Sequence, residues 1–271
     1  MELPLEQPSD LIKKYYNNLW RSVPAPHKKL YTEMRCRKRT IFPFVRKISS
    51  DSSTPLRIMD LGCGCGWLTK ALSEFGDSIG IDISITEAKK RYPDMKFLEA
   101  DILWDEIEGN YDVIVSSEVL EHIARENQQT FVRRTRELLN EKGLLVLTTP
   151  NKPVAESLPQ DLQPIENWLD KDSLMKLVDP FFEIKYCGST YFLPLLLLKH
   201  TALKALARVY RMFYSGLGCY KIIDGLLGST NSGIHLVIVG QKKMNSSNHC
   251  NVIGTKELEV SVSARTNEGR C

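Results

Sequence analysis

The chain has 271 residues, of which 42% are apolar and 25% charged, enough for one substantial core and too apolar for an intrinsically disordered chain. Its formal net charge of +3 is too small to point to nucleic acid. No apolar run reaches the ~18 residues a bilayer span needs, and the first residues show neither a signal peptide's apolar stretch nor an acid-free transit peptide.

The first helix signal is at 10–20, where Leu11, Tyr15 and Leu19 share a face behind Asp10 as an N-cap. A second pattern covers about 28–48, with Pro43 expected to kink or break it, and Ser49–Pro55 has the composition of a linker. Residues 1–50 hold 11 Lys and Arg against Glu2, Glu6, Asp10 and Glu33, which gives +7 and leaves −4 for the rest. Such a segment suits an anionic substrate, a membrane surface or plain solubility. It is expected to form a helical cap, with Tyr15, Tyr16, Leu19 and Trp20 available to close a pocket or simply to pack.

From residue 51 the pattern alternates. Strands are predicted at 56–61, 78–82, 95–99, 111–116, 143–149 and 181–187, with a last one near 234–240. Helices are predicted at 67–75, 84–91, 125–140 and 170–178. Alternation of this kind gives an α/β, doubly wound, mostly parallel sheet with helices on both faces. The domain is expected over 51–243, with a helical insertion at about 191–232 and a polar, disordered tail at 244–271. Seven cysteines without framework spacing point to reduced thiols and a cytoplasmic compartment.

In such a sheet ligands bind beyond the carboxyl ends of the strands. Strand one runs into Asp60-Leu-Gly62-Cys63-Gly64-Cys-Gly66, whose glycines let backbone N–H groups approach a bound molecule. A carboxylate before the loop is wrong for pyrophosphate, which seeks positive charge. The dinucleotide fingerprint also fails, because Trp67 stands where its third glycine belongs. Asp60 suits the ammonium end of an amino-acid-like cofactor, which points to S-adenosylmethionine. Asp82, 22 positions on, suits ribose hydroxyls, and Asp101 suits the adenine amine, with Ile83 and Ile102 placed to sandwich the ring.

These stretches, with Gly80-Ile-Asp82-Ile-Ser, Glu99-Ala-Asp101 and Tyr111-Asp-Val-Ile-Val-Ser-Ser-Glu-Val-Leu-Glu-His122, resemble the class I S-adenosylmethionine-dependent methyltransferases. Within them they are most similar to the small-molecule branch that includes the ubiquinone-biosynthesis O-methyltransferases. The resemblance spans about 54–187 and the last strand. It implies a Rossmann-like seven-stranded sheet with its last strand antiparallel. It also implies that Gly62 and Gly64 line the methionine part of the cofactor, that Ser117 contacts it, and that an upstream arginine, best matched by Arg39, holds its carboxylate.

Glu118, Glu121 and His122 fall at i, i+3 and i+4, which on one helical turn would converge two carboxylates and an imidazole. Such a cluster can bind a divalent cation, and the resemblance implies Mg²⁺. The other reading leaves Glu118 behind the site and packs Glu121 and His122 under the loop. His122 and Glu118 are the candidate catalytic pair, and Glu166 is a further carboxylate able to face the acceptor or to sit in a loop.

The apolar run 191–198 and the helical pattern to Tyr214, with His200, Lys204, Arg208 and Arg211 on one face, fit peripheral membrane contact, a lid over an apolar acceptor, a dimer face or an accessory helix. The function expected is methyl transfer to a hydroxyl of a small, lipid-like or quinone-like molecule. Alternatives are an RNA 2′-O-methyltransferase, a C- or N-methyltransferase and a non-catalytic cofactor-binding subunit. The negative balance after residue 50 argues against nucleic acid.

Overall fold

A computed structural model describes residues 8–22, 32–157, 166–192, 206, 209–210, 212–216, 219–227 and 230–243. The predicted tail at 244–271 and positions 193–198 of the apolar run lie outside them. Two helices, α1 (Pro8–Ser22) and α2 (Thr32–Asp51), precede an alternating core. That core runs β1 (Leu56–Leu61), α3 (Trp67–Leu72), β2 (Gly76–Asp82), α4 (Thr86–Arg91), β3 (Lys96–Glu99) and β4 (Tyr111–Ser117). It continues through a 3₁₀ turn (Leu120–His122), α5 (Arg125–Leu138), β5 (Leu139–Pro150), α6 (Lys152–Ala155), α7 (Lys171–Val178) and β6 (Phe182–Thr190). A π-helical segment (Met212–Gly216) and α8 (Tyr220–Leu227) lead to β7 (His235–Lys242).

The strands form one seven-stranded sheet in the order β3-β2-β1-β4-β5-β7-β6. The pairs from β3 to β5 are parallel, and β7 is antiparallel to both its neighbours, as expected. Strand alternation sorts the interior into two layers. Met59, Ile114, Leu145 and Leu147 pack with Phe131 and Val132 of α5 and with Leu174 of α7. Their neighbours Ile58, Val113, Val115 and Val146 pack on the other face with Ile41, Phe42 and Val45 of α2 and Leu68 of α3.

Three expectations are corrected by this packing. The helix α2 continues through Pro43 rather than breaking. Proline removes a hydrogen bond at a cost of about 3 kcal/mol. Burial of Ile41, Phe42 and Val45 against the sheet, each worth roughly 1.5–3 kcal/mol, outweighs it. The Ser-rich linker shrinks, because α2 extends to Asp51. Finally, α5 stops at Leu138 instead of 140, because Leu139 pairs with Tyr111 and starts β5 early, before a register shift between Tyr111 and Val113.

Phe131 is completely buried between α5 and the sheet. Phe131→Ala is expected to cost about 3–5 kcal/mol in urea unfolding, the usual price of a large core cavity.

Candidate active site

The end of β1 enters a loop in which Gly62, Gly64 and Gly66 have φ of 76°, 52° and 79°. This left-handed conformation is open to glycine without strain. The crowding is as strict as the dihedrals: a Cβ on Gly62 would lie 2.1 Å from Val119 Cγ2, and one on Gly64 2.6 Å from Trp20 Cζ2. The N–H groups of Gly62 and Cys63 both donate to the Ile81 carbonyl, at 2.7 and 3.1 Å. The Gly64 N–H donates to Asp82 Oδ2 at 2.9 Å, and the Ser84 N–H to Asp82 Oδ1 at 2.9 Å. Asp82 thus ties the loop after β1 to the end of β2.

Asp60 is buried and its Oδ2 accepts a 2.6 Å hydrogen bond from Thr69 Oγ1. Burial drives its pKa up to about 7; the Thr69 hydrogen bond opposes this, and the nearby charge of Asp82 adds to it. Burial likewise lifts Asp82 to about 6 against the N–H groups of Gly64 and Ser84. Asp101 accepts from the Leu103 N–H at 2.8 Å, beside Ile102. All three aspartates, with Ile83 and Ile102, line one cavity of about 910 Å³ at the carboxyl edge of the sheet.

The helix α1 lies over this cavity. Ser84 Oγ donates to Asn17 Oδ1 at 2.6 Å, Arg91 donates to the Trp20 carbonyl at 2.6 Å, and Lys13 pairs with Glu99. Tyr16, Leu19 and Trp20 line the cavity, whereas Tyr15 packs edge-on against Tyr16. Tyr16 in turn meets the His122 ring edge-on at 5.8 Å, and burial raises its phenol pKa, helped by the charge of Glu121.

The upstream arginine that lines the cavity is Arg37, with Nη1 3.4 Å from Ser117 Oγ, and not Arg39. Two residues on a helix are about 200° apart, so the two cannot share a face.

Beyond Ser117 the expected helical cluster is not what forms. Glu118 sits at φ 60°, and only Leu120–His122 make the short 3₁₀ turn. The backbone twist sends Glu118 toward β5 and β7. Its Oε1 accepts from Thr148 Oγ1 at 2.8 Å, and its Oε2 lies 2.9 Å from His235 Nδ1. Glu121 accepts instead from Thr149 Oγ1 at 3.1 Å and stands 3.8 Å from His122 Nε2. Among the described residues no group of three or more His, Cys, Asp and Glu is arranged to hold a metal ion. The expected Mg²⁺ cluster at Glu118, Glu121 and His122 is therefore corrected: the three part company because only two of them follow helical geometry.

Burial opposes ionisation of Glu118, yet His235 above all, with Arg37 and the Thr148 hydroxyl, holds its pKa down to about 2. Glu121, buried beside that fixed negative charge, has its pKa pushed well up. His235 was not among the sequence candidates. A lone histidine opening the apolar run Leu236–Val239 gives no signal without the strand pairing that sets Thr190 and Pro150 on either side of it.

A methyltransferase-domain family matches residues 34–182, more than half the chain. The chain belongs to that family. In sequence, this methyltransferase is 32% identical over 105 residues to a ubiquinone biosynthesis O-methyltransferase from Bradyrhizobium diazoefficiens, covering 36% of this chain and 41% of the relative. It is 26% identical over 151 residues to the mitochondrial one from Mus musculus, covering 46% and 40%. The matched stretch thus spans about two fifths of these relatives. In fold it is similar to the N-methyltransferase NodS from Bradyrhizobium japonicum WM9 in complex with S-adenosyl-L-homocysteine, with a TM-score of 0.57, 13% identity and coverage of 86% and 99%. It is also similar to magnesium protoporphyrin IX methyltransferase from Synechocystis PCC 6803 with bound S-adenosylmethionine, with a TM-score of 0.54, 17% identity and coverage of 89% and 100%.

The residues present fit S-adenosylmethionine. Two desolvated carboxylates with raised pKa values await hydrogen-bond donors or positive charge, and the glycine cradle has no room for a Cβ. Asp60→Asn is expected to raise the melting temperature of the ligand-free protein at pH 8, where the native carboxylate is ionised at a cost, and to raise it less at pH 5, where that carboxyl is already protonated. The same change is expected to weaken S-adenosylmethionine binding by roughly tenfold or more in calorimetry, the loss of one charged hydrogen bond.

Proposed function

We propose that this methyltransferase carries a methyl group from S-adenosylmethionine to a hydroxyl of a small, apolar, lipid-like or quinone-like acceptor. The observation that carries the reading is the set of Asp60, Asp82 and Asp101 at three neighbouring strand ends around one cavity. In this reading Asp60 takes the ammonium group, with Arg37 nearby for the carboxylate. Asp82 takes the ribose hydroxyls and Asp101 the adenine amine, between Ile83 and Ile102. Gly62, Cys63, Gly64 and Gly66 bring the backbone against the chain of the ligand, and Ser117 borders it from β4. When bound, the cofactor supplies a methyl group already activated on a sulfonium. What remains for the protein is to hold the acceptor in line and keep water out, and alignment alone is worth roughly 7–11 kcal/mol of barrier. Tyr16, Leu19 and Trp20 of α1 supply the cover.

The hydroxyl acceptor is favoured by the similarity to O-methyltransferases. A nucleic-acid acceptor is disfavoured by charge. The cavity lining carries Asp60, Asp82, Glu99, Asp101, Asp105, Glu118, Glu121 and Glu166 against Lys13 and Arg37, the reverse of a phosphate-binding groove. Calorimetry is expected to show binding of S-adenosylmethionine and none of NAD. Labelled cofactor is expected to pass its methyl group into a total lipid extract. Failure to bind S-adenosylmethionine removes the reading.

The segment between β6 and β7 supports an apolar acceptor drawn from a membrane surface. Met212, Phe213, Ile222 and Leu226 are exposed there, at 57%, 47%, 66% and 73%. The sequence of the same segment adds Lys199, Lys204, Arg208, Arg211 and Lys221 against Asp224. No helix among the described residues is long and apolar enough to cross a membrane, so the contact proposed is peripheral. Sedimentation with anionic vesicles is expected for the parent and reduced several-fold in Ile222→Ser/Leu226→Ser. A parent that stays in the supernatant ends this part of the reading.

A further inference from the structure

The Nε2 atom of His235 is buried and has no hydrogen-bond partner among the described residues, although the residue lines the main cavity. A buried imidazole nitrogen left unsatisfied costs about 1–3 kcal/mol, so its persistence calls for a reason. The other side of the ring is fixed with unusual care.

The direction of each hydrogen bond in that support can be derived. Arg37 can only donate, so the bond from its Nη1 to Ser117 Oγ makes Ser117 an acceptor there. Thr148 spends its single hydroxyl proton on Glu118 Oε1, at 2.8 Å. The 3.0 Å contact between Ser117 and Thr148 must then be a donation from Ser117. The chain therefore runs one way, from Arg37 through Ser117 and Thr148 to Glu118. Its far end is an ionised carboxylate, which only accepts, so the 2.9 Å contact with His235 requires the proton on Nδ1. In its neutral form the imidazole carries one N–H, so with that proton on Nδ1 the Nε2 atom keeps its lone pair.

Backbone strain is concentrated at the same place. Among the described residues only Asn110, Glu118 and Tyr191 are non-glycine positions with positive φ. Two of the three flank this ring: Glu118 holds Nδ1, and the Tyr191 ring stacks on the imidazole with centroids 6.2 Å apart. Such conformations cost about 1–3 kcal/mol each and persist where the surroundings enforce them. His122 is different. It is braced by Glu121 and Tyr16.

We propose that His235 is the general base of the reaction and that Glu118 is its positioning residue, held by Thr148, Ser117 and Arg37. This rests on the reading of the cavity as a methyl-transfer site with a hydroxyl acceptor. The acceptor O–H bond breaks as its proton passes to Nε2, forming an imidazolium whose charge the Glu118 carboxylate offsets. The electron pair left on oxygen forms the new O–C bond to the methyl group, while the sulfur keeps the pair of the broken C–S bond and becomes neutral. No further reactant is needed.

Two measurements separate this proposal from the one beneath it. In the intact protein with ¹⁵N-labelled histidine, the His235 ring, identified by its loss in His235→Asn, is expected to show Nδ1 protonated and Nε2 bare at pH 8. In Glu118→Gln the Nε2–H form is expected to become populated, and Glu118→Asp is expected to restore the native form in part. With labelled S-adenosylmethionine and the lipid extract, His235→Asn is expected to transfer methyl about 10²–10⁴-fold more slowly while binding the cofactor as the parent does. A protonated Nε2 in the parent, or a His235→Asn variant that transfers at the parental rate, overturns the base. A parent that fails to bind S-adenosylmethionine overturns the functional reading instead, and the ring's protonation still decides the tautomer. If His235→Asn fails to fold, the ring is identified instead by its shift in Glu118→Gln, and the parent spectrum decides.

Discussion

Desolvated negative charge at the mouth of the sheet is the constraint on which the rest of this molecule depends. Asp60 and Asp82 are held where burial penalises their ionised forms, and their carboxyl groups lie well above the ordinary aspartate range. Thr69, Gly64 and Ser84 supply hydrogen bonds to them. Groups kept so close to the edge of ionisation cost stability, and such groups concentrate at functional sites. The three glycines of the loop leave no volume for a side chain, since Val119 closes on Gly62, Trp20 on Gly64, and Phe97 and Tyr92 on Gly66.

A second polar system lies across the middle of the sheet and is handled in the opposite way. Glu118 is half-buried where Asp60 is fully buried, and it remains ionised because His235, Arg37 and Thr148 surround it. Neighbouring threonines on β5 divide the labour: Thr148 turns to Glu118, and Thr149, one residue on and facing the other side, turns to Glu121. Two glutamates three positions apart thereby acquire opposite tendencies, Glu118 toward the anion and Glu121 toward the neutral acid. Environment sets this difference, since the side chains are identical.

Much of the cofactor side was legible in the sequence because it is local. A strand, a carboxylate at its end and a glycine turn fall within ten residues of one another, and each repetition of strand and terminal acid can be read without knowing where the next strand packs. The same locality made Pro43 misleading. Proline acts on its own helical turn, whereas the burial that carries α2 through it comes from β1, β4 and β5. Arg39 is chosen on linear spacing, which says nothing about which side of a helix meets Ser117; the arginine that does so is Arg37, set by how α2 docks.

By itself the sequence determined the alternation of strands and helices, the order of the strand-end acids and the exclusion of a dinucleotide fingerprint, all of which are properties of short stretches of chain. Tertiary structure alone decided the fate of Glu118, Glu121 and His122 and brought in His235. An i, i+3, i+4 pattern converges only if the backbone is helical at all three positions, and the positive φ at Glu118 breaks that condition. The partner that replaces the expected cluster lies 117 residues away, joined by the antiparallel insertion of β7 between β5 and β6. Strand order across a sheet is fixed by packing of the whole core, and no local spacing encodes it.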